Sequence, residues 1–504
     1  MQLPPVHLAI IQPAGYVHSL GFLDQARYFR HQFTRMGAEV TIAKNRLRED
    51  AVNLVFGAHL GFPADWQRRH ACVFVNLEQL GDGGARVSND YLNLLRGAAV
   101  VDYDAANVAS YCSEPQDVPI VPFGHAPYLA DGSALPLQER PIDLLFFGSM
   151  NPRRQAFIQR VEACGWNVAS FDHPLYGPER DHFVRQAKAV LNCHFYESSR
   201  FEQARAFHAM SLGTPVISER GPQTRPSAAF DESVFWLRDG ELENFFQHQF
   251  ARPVFFAQAE ARLAAFARHD TIDAYADLLA FAAGFFQAWG KTRAAEPWKP
   301  TRVNLGSGKD YKPGWLNIDI LARAQPDLVL DLGQAQSFPL TLQGERGAEI
   351  LLAPDSLDLL YANNVLEHVP DLPMLMGNAL TLLKEGGEFQ IEVPYEKALT
   401  AWQDPTHLRA LNENSWLYYT DWFWYLGWFE HRFEVAQSQW LDMQTKPCNK
   451  EQAAFMKMTL RKIATTPRER TVARAMQADF GGIADDSWVF TEAAPHPIPT
   501  EEVL

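Results

Sequence analysis

Paired cysteines, excess positive charge, long apolar runs and short-period repeats are all missing from this chain, and each absence removes a class of function. The five cysteines (Cys72, Cys112, Cys164, Cys193, Cys448) are scattered, with no Cys-x-x-Cys spacing. Neither a disulfide framework nor a cysteine zinc site is expected, and a reducing compartment fits. Acidic residues outnumber basic ones by 60 to 45, for a formal net charge of -15. A protein that tracks phosphate backbones needs basic surface, so nucleic acid is excluded as a partner. No segment is apolar for long enough to span a bilayer, and the N-terminus lacks a basic stretch followed by a long apolar core. The expected location is the cytoplasm. No Asp-x-Asp pair sits where it would hold a metal, so no metal is expected.

What is present is ordinary globular material, with 47% hydrophobic and 21% charged residues. Single cores seldom grow past about 250–300 residues, so 504 residues call for several domains. Strands and helices alternate through most of the chain, the pattern of an α/β protein with parallel sheets. Apolar strands are expected at 7–11, 39–43, 51–57, 71–76, 100–103 and 119–122, and again at 142–147, 167–171, 189–194 and 215–218. Residues 241 to 289 read as helical. The expected division is two Rossmann-like domains at 1–135 and 136–290, a linker at 291–300, a third α/β domain at 301–445, and a helical extension with an acidic, proline-marked tail at 446–504.

The most informative stretch runs from Arg302 to Asp319. A buried strand at 303–305 breaks at Gly306-Ser307-Gly308, and a second strand at 315–318 ends on a carboxylate. Glycines at a strand end let a ligand lie against bare backbone. An acid at the neighbouring strand tip is placed to accept both hydroxyls of a ribose. Further strands end at Asp331-Leu332 and at Asn363-Asn364, and a helical stretch leads through Lys384-Glu-Gly-Gly387 to a strand closed by Pro394.

On the segments "LGSG", "GWLNIDI", "DL", "VLEHV" and "LKEGGEFQIEVP", residues 302 to about 410 resemble a class I S-adenosylmethionine-dependent methyltransferase of the type 11-like kind. The resemblance implies that Gly306 and Gly308 face the methionine part of the cofactor, Asp319 the ribose, and Asp331 with Leu332 the adenine edge. Parallel neighbours normally need a crossover of roughly a dozen residues or more. Lys309 to Gly314 is too short for one, so a loop or truncated helix is expected there. O-methylation needs a base to take the hydroxyl proton. In Trp402-Gln-Asp404-Pro-Thr-His407-Leu-Arg409, His407 is the expected base and Asp404 its orienting partner. Glu367 and His368 read as structural. The aromatic run from Trp416 to Phe429 has three open readings: a sugar-stacking platform, a membrane-interface anchor, or a packed lid.

The N-terminal segments "NLVFGAHL", "VFVNLEQL", "VPFGHAP", "LLFFGSMNPRR" and "VLNCHFYESSRFEQARAFHAMSLGTPVISE" resemble a GT-B glycosyltransferase of the family-1-like, spore-maturation type, over residues 6 to about 240. Two Rossmann-like halves imply a ligand cleft between them. A departing diphosphate needs amides or guanidinium groups, and Arg153 and Arg154, in the first turn after Gly148, suit that task. Glu202 and Arg205 are the expected donor contacts. Larger GT-B families place two glutamates eight apart before the "GTPVI" turn; here Arg200 and His208 stand at those positions. Asn192 and His194 either line the cleft or pack beside it. On the acceptor side the candidates are His18, His59, Glu78 and His125, with Glu78 first as base.

The sequence thus reads as a bifunctional enzyme: a nucleotide-sugar-dependent glycosyltransferase, its donor unspecified, joined to an S-adenosylmethionine-dependent O-methyltransferase. The expected acceptor is a glycan or glycosylated carrier, and joining the activities raises the local concentration of the intermediate. In the alternative, the GT-B-like half is a non-catalytic carbohydrate-binding module.

Overall fold

Runs such as Val6-His-Leu-Ala-Ile10 are buried along their whole length, as strands covered by helices on both faces must be. The computed structural model describes residues 3–13, 15–63, 66–81, 83–113, 118–130, 132–171, 174–292 and 297–478. The middle of the expected linker and the expected tail past 478 lie outside them. The chain divides into two compact units, Met1–Ala295 and Glu296–Leu504.

The first unit holds two sheets of the same topology. β1 (Val6–Ile10), β2 (Val40–Lys44), β3 (Val52–Phe56), β4 (Cys72–Asn76) and β5 (Ala99–Asp102) lie in the order β2-β1-β3-β4-β5, with every pair parallel. β6 (Ile142–Leu145), β7 (Val168–Ala169), β8 (Ala187–Asn192), β9 (Val216–Glu219) and β10 (Phe235–Leu237) repeat that arrangement as β10-β9-β8-β6-β7. In each sheet the strand order reverses beside the first strand, at β1/β3 and at β6/β8. Ligands of open α/β sheets gather at the carboxyl ends of such switch points. The strand expected at 119–122 is only a single bridge from Ile120 to Asp102. The helical region expected at 241–289 is three helices, Leu242–His248, Pro253–Arg268 and Ile272–Thr292, the second opened by Pro253 at its first position.

The second unit is built on a seven-stranded sheet. Its strands are β11 (Arg302–Leu305), β12 (Leu316–Asp319), β13 (Leu328–Val329), then, past the separate antiparallel ribbon β14 (Leu340–Gln343) and β15 (Glu349–Leu352), β16 (Leu357–Asn363), β17 (Leu383–Pro394), β18 (His431–Leu441) and β19 (Phe455–Ala464). Their order is β13-β12-β11-β16-β17-β19-β18, and β19 runs antiparallel to both its neighbours. β11 and β12 are parallel, yet the chain between them contains no helix. The short spacing required that.

The extension expected to be helical from 446 is corrected by β19, which is inserted between β17 and β18. Met456, Met458 and Leu460 are buried on alternate positions, a period of two that marks a strand. Only Pro467–Ala478 is helical.

Candidate active sites

In the second unit the carboxyl edge of β11 and β12 forms one corner. Gly306 has φ +64°, and a Cβ built there would lie 2.3 Å from Val365 Cγ2. Only glycine meets both the backbone angle and the close approach. Gly308 follows at φ +43°, and its amide donates to Asp319 Oδ2 at 2.9 Å. Asp319 Oδ1 accepts the Leu321 amide, also at 2.9 Å. The carboxylate at the tip of β12 is therefore held against the glycine loop. Asp331 turns its Oδ1 to the Gly333 amide at 2.8 Å. The backbone of Leu332 is fixed from behind by Asn378 Nδ2, 2.9 Å from its carbonyl.

Sequence reasoning missed the exposed apolar pair just past Asp319: Ile320 is 64% and Leu321 44% exposed. Two bare aliphatic side chains next to the Asp319 carboxylate leave a dry surface at the tip of β12. The signal was legible as Asp-Ile-Leu at a strand's end.

Val365, which closes on Gly306, begins the turn that carries Glu367 and His368. The Leu408 amide donates to the Glu367 carbonyl at 2.8 Å, drawing the 404–408 loop onto this turn. His368 and His407 meet with ring centroids 4.7 Å apart. The expected pairing of Asp404 with His407 does not form. Asp404 Oδ1 instead accepts the Thr406 amide and hydroxyl at 2.8 and 2.7 Å, closing a tight turn of its own loop. The His407 ring is oriented by the Ala401 carbonyl, 2.8 Å from Nδ1. Glu367, read from sequence as structural, is 2% exposed. No other described residue donates a hydrogen bond to either of its oxygens, and burial pushes its carboxyl up to about 7.

The first unit has a cavity of about 570 Å³ between its two sheets, at the β6/β8 switch point. Gly148, Arg154, Glu202 and Arg205 all line it, joined by Arg180 and His208 and, from the N-terminal half, by His18 and Asp24. Gly148 has φ +137°, and a Cβ there would lie 2.7 Å from Arg205 Nη2. Arg154 is 3% exposed and donates to the carbonyls of Cys193 and Ser149 and to Glu202 Oε1 at 2.9, 2.8 and 3.0 Å. Its burial, with Arg205 nearby, lowers its pKa to about 10. Burial alone would raise Glu202. The His194 hydrogen bond, Arg205 and Arg154 together hold it well below the usual carboxylate range.

Arg153 is a correction. Its guanidinium grips Glu219 with both nitrogens, Nη1 to Oε2 at 2.8 Å, and it is not part of the cavity wall. Asn192 and His194 both contact Glu202 Oε2, at 3.1 and 3.0 Å. His208 lies against Asp181, 2.8 Å from Nε2, whereas Arg200 is turned to Asp104 and Asn107.

Glu78 lines a second cavity, of about 340 Å³, which shares Arg154, Phe195, Glu202 and Ala204 with the first. His59 Nε2 stands 3.6 Å from Glu78 Oε1, with burial lowering the imidazole pKa against the pull of Glu78. His18 bonds the Tyr176 hydroxyl at 2.9 Å. His125 faces Phe266 and lines neither cavity.

A family model described as a methyltransferase domain matches residues 156–434, more than half of the chain. The match begins within the first unit and takes in the second from β11 to the start of β18. A curated relative, uncharacterized protein L140 of Acanthamoeba polyphaga mimivirus, is 28% identical over 160 residues, 29% of this chain. The chain spans about half the length of that relative, 48%. Among solved structures, AviGT4, a glycosyltransferase involved in avilamycin A biosynthesis, is 14% identical over 56% of this chain and 98% of its own, with a TM-score of 0.39. HepE of Anabaena, in complex with UDP and glucose, is 12% identical over 56% of this chain and 100% of its own (TM-score 0.40). An S-adenosylmethionine-dependent methyltransferase from Mesorhizobium loti is 16% identical over 35% of this chain and 96% of its own (TM-score 0.21).

Proposed function

This chain belongs to the methyltransferase-domain family, and from that premise we propose that its second unit transfers a methyl group from S-adenosylmethionine to a hydroxyl of a glycan or glycosylated carrier. The first unit, in this reading, adds a sugar from a nucleotide donor to the same material. The observation that carries the proposal is the Gly308–Asp319 hydrogen bond, which sets a bare glycine loop and an acid side by side at the tips of β11 and β12. The methionine part of the cofactor lies along Gly306 and Gly308, the ribose on Asp319, and the adenine between Ile320, Leu321 and the Asp331–Leu332 turn. His407 stands on the acceptor side, where the hydroxyl proton is removed. S-adenosylmethionine, when bound, would supply an electrophilic methyl on its sulfonium; the acceptor oxygen would take that carbon in line and the C–S electron pair would stay on sulfur.

In the first unit, Arg205 and Arg154 beside Gly148 supply positive charge for a departing diphosphate, and Glu202 accepts donor hydroxyls. Glu78 is the acceptor base. The substitution of Arg200 and His208 at the two glutamate positions favours the second reading, a carbohydrate-binding module without transfer activity.

Tritiated methyl incorporation into surface-glycan oligosaccharides tests the first part. Hydrolysis of UDP-, GDP-, CMP- and dTDP-sugars tests the second. Incorporation without turnover of any donor would leave the module reading standing and remove the glycosyltransferase.

A further inference from the structure

Glu367 presents a problem of electrostatics. An ionised carboxylate shut away from water needs a partner that restores its lost solvation. Its side chain is 2% exposed, and neither oxygen accepts a hydrogen bond from another described residue. What faces it is a pair of imidazoles. One donor atom each from Glu367, His368 and His407 fall within 4.8 Å of one another.

Both imidazoles are held as metal-bound histidines are, with one ring nitrogen given to a fixed oxygen and the other left open. His407 Nδ1 lies 2.8 Å from the Ala401 carbonyl. His368 Nδ1 lies 3.2 Å from the Thr406 carbonyl and 3.0 Å from its hydroxyl. With the protons on Nδ1, each Nε2 carries a lone pair. Asp404 in turn accepts the Thr406 hydroxyl at 2.7 Å, so the loop that aims His368 is itself braced.

We propose that Glu367, His368 and His407 bind one divalent first-row transition-metal ion. Two imidazoles and a carboxylate on one side of an ion leave further positions open, and that donor set suits Zn²⁺, Mn²⁺, Fe²⁺ or Co²⁺ better than Mg²⁺ or Ca²⁺. Ligands about 2.1 Å from a common ion stand roughly 3–3.5 Å apart, so the three side chains need only a small contraction to close on it. This replaces the expectation of no metal, and Glu367 becomes a ligand in place of a structural group.

The site deepens the methyltransferase reading and rests on it. The turn bearing Glu367 starts at Val365, which packs on Gly306, so an ion held by Glu367, His368 and His407 would sit one turn from the glycine loop. Such an ion would supply Lewis acidity: an acceptor hydroxyl bound to it would have a lowered pKa and would give its proton to solvent water, leaving its oxygen for the methyl carbon. The O–H electron pair becomes the new O–CH₃ bond, and the S–CH₃ pair stays on sulfur. His407 then acts through the ion instead of as a free base.

The test is a titration of the metal-stripped full chain with Co²⁺, read by visible absorption, with S-adenosylmethionine binding measured in parallel by calorimetry. One equivalent of Co²⁺ should produce ligand-field bands that Zn²⁺ displaces. His407→Ala and His368→Ala should each weaken binding by at least about 100-fold, while the affinity for S-adenosylmethionine changes little. Glu367→Gln should do the same; should it fail to fold, the two half-exposed histidines decide the matter alone. Normal cofactor binding with no saturable Co²⁺ site, or a site that survives both histidine changes, overturns the metal and leaves the methyltransferase intact. Loss of cofactor binding in the unaltered protein would instead overturn the reading beneath it.

Discussion

Asp319 Oδ2 accepts the Gly308 amide and Oδ1 accepts the Leu321 amide, both at 2.9 Å. One carboxylate thus ties the tip of β12 to the loop leaving β11 while keeping lone pairs for a ligand. Hydrogen bonds to a charged acceptor contribute about 1.5–3 kcal/mol each, the lower end applying where the donors reach solvent. Asp319→Ala is expected to lower unfolding stability by about 2 kcal/mol in denaturant titration. Asp319→Asn, which keeps one acceptor, should lose about half of that.

Gly306 tests whether the loop's shape is dictated by space or by backbone angle. In Gly306→Ala the new methyl meets Val365 Cγ2 at 2.3 Å, at a φ of +64°. The expected destabilisation is about 2–3 kcal/mol, from overpacking and left-handed strain together. Adding Val365→Ala relieves the first and not the second. Stability of the double variant should therefore fall between those of Gly306→Ala and the parent.

In the first unit, Arg180 Nη1 meets Asp24 Oδ2 at 2.7 Å with both side chains under 10% exposed. Asp24 belongs to the helix Phe22–Arg35 and Arg180 to Gly177–Gln186, so the pair fastens the two sheet halves together. Removing one partner of such a pair costs about 3–5 kcal/mol. Asp24→Ala is expected in that range by thermal or chemical unfolding.

The same cluster sets an acid limit. Burial alone would raise Asp181, but the hydrogen bond and charge of His208, with Arg180, bring it down to about 2 from 3.8. A group whose folded pKa is depressed adds stability above its ordinary pKa and loses it as pH falls through the folded one. Unfolding free energy should decline between about pH 4 and pH 2, and Asp181→Asn should flatten that decline.

Donor binding should separate two neighbouring arginines. Arg205→Ala is expected to weaken binding of a nucleoside diphosphate by about 10- to 100-fold, since a charge-assisted contact contributes 1.5–3 kcal/mol. Arg153→Ala should leave that affinity nearly unchanged and lower stability instead, through Glu219. Equilibrium binding of UDP and GDP to both variants checks this.

What could be read from the sequence was whatever was local. Glycine, strand and acid lie within eighteen residues of one another between Arg302 and Asp319, and their geometry follows from the strands that carry them. Arg153 and Arg154 were not separable, because successive helix residues point about 100° apart and only the fold decides which one meets a cavity. The Glu367–His407 approach depends on a backbone bond from Leu408 to Glu367, a contact across chain that no periodicity encodes. The alternation of Met456, Met458 and Leu460 marks β19, and the helix Pro467–Ala478 close behind it masks that period.

The most direct measurement is calorimetric titration of S-adenosylmethionine into the full chain and into Asp319→Ala and Arg205→Ala. One equivalent should bind the parent and Arg205→Ala alike, and Asp319→Ala should lose at least about 100-fold in affinity, as expected when a ligand's paired hydroxyls lose their acceptor. Equal affinity in parent and Asp319→Ala would contradict the site at the tips of β11 and β12.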